Sequence, residues 1–160
     1  MGCRARAIGN EINKTHDGEY MALIKWSPSL SVKIDEMDKQ HQSLLEIMNR
    51  LHESISAGKG NEDPIAVISE LNEYAHKHFS AEEQLMRRFR FPQLRAHKVE
   101  HVKFAENVLA FQRRLHEGQT VSAYEVLQFV RQWLLTHIQE SDAKYGKFIN
   151  QILQKLAVKV

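Results

Sequence analysis

Apolar side chains recur at helical spacing in four stretches of the chain. The first runs from about Asp35 to Ala57, where Met37, Leu44, Leu45, Met48, Leu51 and Ile55 form one stripe. Gly58 and Gly60 are the stops expected after it. Asp63-Pro64 reads as the cap and first residue of a second helix reaching about Phe89, with Pro92 in "RFP" as its breaker. A third helix is predicted over roughly Gln93 to His116, stopping near Gly118. The fourth opens at "SAYE", where Ser122 and Glu125 have capping-box spacing. A last amphipathic piece at about 147–157 predicts a short C-terminal helix. No segment alternates like a strand. Four helices joined by short connections imply an all-α fold, an up-down-up-down antiparallel four-helix bundle. Residues 21–34, "MALIKWSPSLSVKI", are expected to be an extended arm, with Trp26 available to cover the bundle.

Several positions on the inward stripes are polar, and burying them is costly unless something pairs with them. His78 and Glu82 lie four apart in "HFSAEEQLM" and share a helix face. His97 and His101 do the same in "HKVEH". His137 and Asp142 lie in "HIQESD", and His41 in "DKQH". His41 is near the start of its helix, His78 and Glu82 near the end of the next, His97 and His101 near the start of the third, His137 and Asp142 at the end of the fourth. In an up-down-up-down bundle all seven meet at one end. The individual motifs are weak, but their shared depth is not expected of scattered core histidines. Five imidazoles and two carboxylates in an apolar layer call for a cationic partner. A nitrogen-oxygen set without thiolate suits iron, manganese, zinc or copper rather than magnesium or calcium. Seven ligands exceed what one ion usually takes, whereas two ions bridged by the carboxylates use them all.

One geometric demand follows. Five residues of ideal helix turn through about 500°, so His137 and Asp142 would face about 140° apart. A π-bulge or a helix end at about 138–142 is therefore predicted. The other histidines read as ordinary. His76 points away from His78, His116 suits the end of a helix, and His52 lies on the His41 stripe at the far end of the bundle. Asp38 and Gln40 flank His41, either as supports for a ligand imidazole or as solvated helix-start residues.

The 160 residues fit one domain with a real core. The 22 basic and 20 acidic residues are spread without a basic block, which gives no support to nucleic-acid binding. No apolar run approaches the roughly 20 residues of a membrane span, and one cysteine, Cys3, excludes an internal disulfide. Residues 1–20 are expected to be a flexible extension ahead of a domain over 21–160. A cytoplasmic monomer is the expectation.

The pattern resembles the bacterial haemerythrins. The resemblance covers roughly residues 21–150 and rests on Trp26 and "LSV" in the arm, "DKQH", "HFSAEEQLM", "HKVEH" and "WLLTHIQESDAKY". It implies a non-haem di-iron centre that binds dioxygen reversibly for storage, delivery or sensing. By the resemblance His97, His101 and His137 would hold one iron and His41 and His78 the other, leaving the second an open position. Glu82 and Asp142 would bridge them beside a hydroxo or oxo bridge, and Tyr145 would support the ligands. Ferritin-like oxidases use more carboxylates, so the nitrogen-rich set argues for binding over catalysis. Leu44, Leu45, Met48, Phe79, Phe104, Val130 and Trp133 are expected around the site, as core packing and as a barrier to water. A di-iron enzyme with peroxidase or nitric-oxide-reducing activity is the second reading, and a metal-free helical interaction module the third.

Overall fold

The four apolar stripes do form helices, and their ends explain how the chain turns. The computed structural model describes residues 23–57 and 64–158. Its helices are α1 (Asp35–Ser56), α2 (Pro64–Arg88), α3 (Leu94–His116), α4 (Ala123–Thr136) and α5 (Ala143–Ala157). A six-residue π-helical segment, His137–Asp142, joins α4 to α5. A 3-10 turn, Pro28–Leu30, interrupts the arm. There is no strand among the described residues. The expected extension at 1–20, the glycine stops at 58 and 60 and the Asp63 cap lie outside the described residues.

The α2 end differs in mechanism from the sequence expectation. The helix closes ahead of Pro92 because Arg90 adopts a left-handed φ of 54°. The Phe91 amide then donates to the Met86 carbonyl at 2.9 Å and the Arg90 amide to Arg87 at 3.1 Å. This is the Schellman pattern with arginine where glycine is usual, a conformation costing about 1–2 kcal/mol. Buried Phe91 offsets it by packing with Met86. The α3 end repeats the pattern with Gly118, at φ 73°, in the left-handed place. At the α4 start the Ser122 hydroxyl accepts from the Glu125 amide at 3.1 Å, as the capping-box spacing requires.

The C-terminal helix is longer than the expected 147–157. No breaker separates it from α4, so the chain stays helical from Ala123 through the π segment to Ala157. Gly146 survives inside it for a steric reason: a Cβ there would come within 2.7 Å of the Val32 carbonyl oxygen and 2.9 Å of Val32 Cβ. The arm is thus pressed directly onto the α5 backbone. Asp38 fixes it from α1, accepting from the Val32 amide at 2.8 Å and the Ser31 hydroxyl at 2.6 Å. Asn150 donates to the Val32 carbonyl at 3.1 Å. Further along, Asn49 exchanges two hydrogen bonds with the Ile24 backbone. Trp26 packs against the core as expected of the arm.

Packing divides into two apolar clusters. The larger fills the bundle with Leu44, Met48, Ile68, Leu71, Phe104, Val108, Val130 and Leu134. The smaller joins Val32, Met37, Met86, Phe91, Tyr145 and Ile149 at one end. On α1, α2 and the α4–α5 run, the inward polar residues fall between the members of one cluster and those of the other. A polar layer therefore separates two greasy ones.

Replacing Gly146 by alanine should force the arm off α5 and cost about 1–3 kcal/mol. Thermal or denaturant unfolding measures this, and an unchanged midpoint would show that Val32 yields freely.

Candidate metal centre

Each helix delivers its polar residues to the layer by ordinary periodicity, except at the α4 end. His41 comes from the second turn of α1, His78 and Glu82 from late α2, His97 and His101 from early α3. His137 and Asp142 are the first and last residues of the π segment. An i→i+5 repeat returns to the same face after five residues, where a regular helix would not. The Ala143 amide donates to the Ile138 carbonyl in that repeat. His137 Nε2 consequently lies 3.1 Å from Asp142 Oδ1. The predicted irregularity is present.

All seven residues are buried, none more than 3% exposed. Glu82 Oε2 is 3.1 Å from His101 Nε2, 3.4 Å from His97 Nε2 and 3.7 Å from His78 Nε2. Asp142 turns Oδ2 toward His41 Nε2 at 3.1 Å and Oδ1 toward His97 Nε2 at 3.4 Å. The set divides into two groups able to hold an ion, Glu82 with His97, His101 and His137, and Glu82 with His41, His78 and Asp142. Asp142 also reaches the first group through Oδ1. Both carboxylates therefore span the two groups.

The donor spacing fits metal ions. Bonds of about 2.1 Å at right angles put adjacent donor atoms about 3 Å apart, close to the separations here. His101 Nε2 and His137 Nε2 approach to 3.2 Å. The Nε2 atoms of His41 and His78 and both Asp142 oxygens are buried without a hydrogen-bond partner among the described residues. Such groups are expensive to bury as they stand, and a shared cation satisfies them together.

The electrostatics keep Glu82, Asp142 and His78 in ligand states and leave on His137 a proton that a bound cation would displace. Burial opposes charge on Glu82, yet His78, His101 and His97 outweigh it and hold the carboxyl well below its ordinary range. Burial and the Glu82 charge push Asp142 up, but His137 and His41 prevail and it too is lowered. Burial brings His78 down to about 4 despite nearby Glu82, so its imidazole is neutral with a free lone pair. For His137, burial is outweighed by Asp142, Glu82 and Glu100, which raise it to about 8.

Polar supports turn three of the five imidazoles inward. Gln40 Oε1 meets His78 Nδ1 at 2.9 Å, Glu83 Oε1 meets His101 Nδ1 at 3.3 Å, and Glu100 Oε2 meets His137 Nδ1 at 2.7 Å. Each contact leaves Nε2 aimed at the centre, the arrangement that fixes tautomer and orientation in metal sites. Tyr145 donates to Glu82 Oε1 at 2.5 Å. Phe79 stacks on His101 with centroids 3.9 Å apart, and Trp133 on His137 at 4.2 Å. Of the two residues flanking His41, Gln40 supports a different histidine and Asp38 serves the arm. Glu83 and Glu100 were missed because they act between helices, while periodicity reports only faces of one helix. Among the other histidines, His76 and His116 are exposed and His52 half-buried, as their plain readings require.

The fold and site together define a class: an antiparallel helical bundle with a buried, nitrogen-rich, two-ion layer. The model of the hemerythrin HHE cation binding domain matches residues 32–149, and the chain belongs to that family. It is 32% identical to a bacteriohemerythrin of Stenotrophomonas maltophilia, over 86% of this chain and 88% of that one. It is 31% identical to a bacteriohemerythrin of Methylococcus capsulatus, over 79% and 96%. A crystal structure of wild-type hemerythrin superposes with a TM-score of 0.70 at 30% identity, covering 79% of this chain and 97% of that one. The cofactor of the family is a non-haem pair of iron ions, which the two groups found here suit.

Glu100→Ala should weaken metal affinity roughly 10–100-fold by freeing the His137 ring. Competition against a chromogenic chelator measures it, and wild-type affinity would remove Glu100 from the supports.

Proposed function

We propose that the chain binds dioxygen reversibly at a di-iron centre held by His97, His101 and His137 on one side and His41 and His78 on the other. Glu82 and Asp142 span the pair. The observation that carries this reading is the asymmetry of the two groups. Both share the carboxylates, but one has three imidazoles and the other two, so the second group would leave its ion one protein ligand short. Held by these seven residues, a pair of iron ions would supply the reversible two-electron chemistry that dioxygen binding needs.

The chain's own residues make release possible by limiting what else reaches the site. Leu44, Met48, Phe104, Val130 and Leu134 are buried to within 1% of completely, and Phe79 to 7%. They keep water and external protons away from a charge-sensitive site, where low polarity makes any change in net charge costly. Five neutral donors and only two anionic ones leave less negative charge on the metals than a carboxylate-rich set, which disfavours onward oxidation of a substrate. Gln40, Glu83 and Glu100 hold the rings so that little reorganises as ligand comes and goes. Storage, delivery and sensing all draw on this same reversible step. No helix among the described residues is long and apolar enough to cross a membrane.

Anaerobic reduction of the iron-loaded protein followed by air should produce a visible charge-transfer band that disappears under argon and returns with oxygen over repeated cycles. A band that decays with consumption of a co-substrate would identify an enzyme instead. Metal removal should lower the melting temperature as well. A free metal concentration of a thousand times Kd stabilises by about 4 kcal/mol, equivalent to roughly 8–16 °C for a chain of this size. Equal melting of the two forms would contradict a metal built into the fold.

A further inference from the structure

Apart from the atoms that face the centre, two buried polar groups beside the site have no hydrogen-bond partner among the described residues, His41 Nδ1 and the Tyr74 hydroxyl. Tyrosines with a buried hydroxyl usually find one, and a lone buried donor is costly. The Tyr74 ring stacks on His78 with centroids 5.0 Å apart and planes 26° apart. His78 belongs to the group with two imidazoles, the group that leaves a position open. Tyr74 lies one turn before His78 on α2 and packs against the main core. It also lines a cavity of about 320 Å3 with Gln40, Ser43, Lys77 and His78. That cavity lies between α1 and α2, on the His78 side of the centre.

A tyrosine phenol carries a hydrogen to give. Tyr145, the other tyrosine near the carboxylates, is already engaged with Glu82. Tyr74 is the one whose donor is uncommitted.

Resting on the di-iron reading, we propose that Tyr74 is a ligand-contacting residue: its hydroxyl donates a hydrogen bond to a small molecule or anion bound at the open position beside His41 and His78. The cavity against Tyr74 and Gln40 is then the route by which such a ligand approaches. The ring and the hydroxyl have separate tasks. The ring packs His78 in place, and the hydroxyl selects ligands whose outer atom accepts a hydrogen bond.

Azide, a small linear anion with accepting ends, is a direct probe on the oxidised, iron-loaded full chain. Titration followed by calorimetry should show Tyr74→Phe binding azide roughly 3–10-fold more weakly than wild type, the loss of one hydrogen bond. Without azide, Y74F should melt at or slightly above the wild-type temperature, because it removes an unsatisfied buried donor. The upward melting shift caused by azide should be smaller in Y74F. Tyr74→Leu, which removes ring and hydroxyl, should lose azide affinity and also melt lower. Wild-type azide affinity in Y74F, with loss only in Y74L, would reduce Tyr74 to a packing residue and overturn the proposal. A wild-type protein that holds two irons but takes up no azide would overturn the open position itself, and the role of Tyr74 with it.

Discussion

Two carboxylates shared among five imidazoles are the constraint around which this chain is arranged. Glu82 and Asp142 each touch histidines of both groups, so neither half of the site is complete without the other. Seven buried polar side chains, three of them with atoms that lack a hydrogen-bond partner among the described residues, would weaken any apolar core. Here they occupy a full layer between two hydrophobic clusters, and only a cationic partner makes that arrangement favourable. Cores whose polar groups break the usual rules do so at functional sites.

The surrounding structure serves that layer. The Schellman turn at Arg90 ends α2 a few residues past Glu82 and begins α3 in time to present His97. The arm, pinned by Asp38 and Asn150 and seated on Gly146, covers the end of the bundle nearest the site. Val32 of the arm joins Tyr145 in the smaller cluster, and Tyr145 holds Glu82. A chain of contacts thus links an extended strap, with little regular structure of its own, to the Glu82 carboxylate.

Much of this was legible in the residues because helix periodicity and bundle topology are both simple rules. Spacing alone placed His78 beside Glu82 and His97 beside His101, and the depth argument brought all four helices to one end. The mismatch between five residues and a helical turn foretold the irregularity between His137 and Asp142. What escaped were features that depend on neighbours in space. Glu83 and Glu100 support histidines on other helices, and while Gln40 was legible as a support for a ligand imidazole, that imidazole is His78 across on α2. Arg90 in a left-handed turn carries no glycine signature, so Pro92 looked like the cause. No spacing rule singles out Tyr74, whose buried hydroxyl has no hydrogen-bond partner among the described residues.

The claim that two ions share this layer is tested most directly by counting iron in the purified full-length chain and measuring the magnetic coupling between the ions. Two irons per chain, coupled so that the oxidised protein shows no isolated ferric signal in electron paramagnetic resonance, is the result that a shared two-ion layer predicts. A single iron with an isolated ferric signal, or a well-folded chain that takes up none, would contradict it.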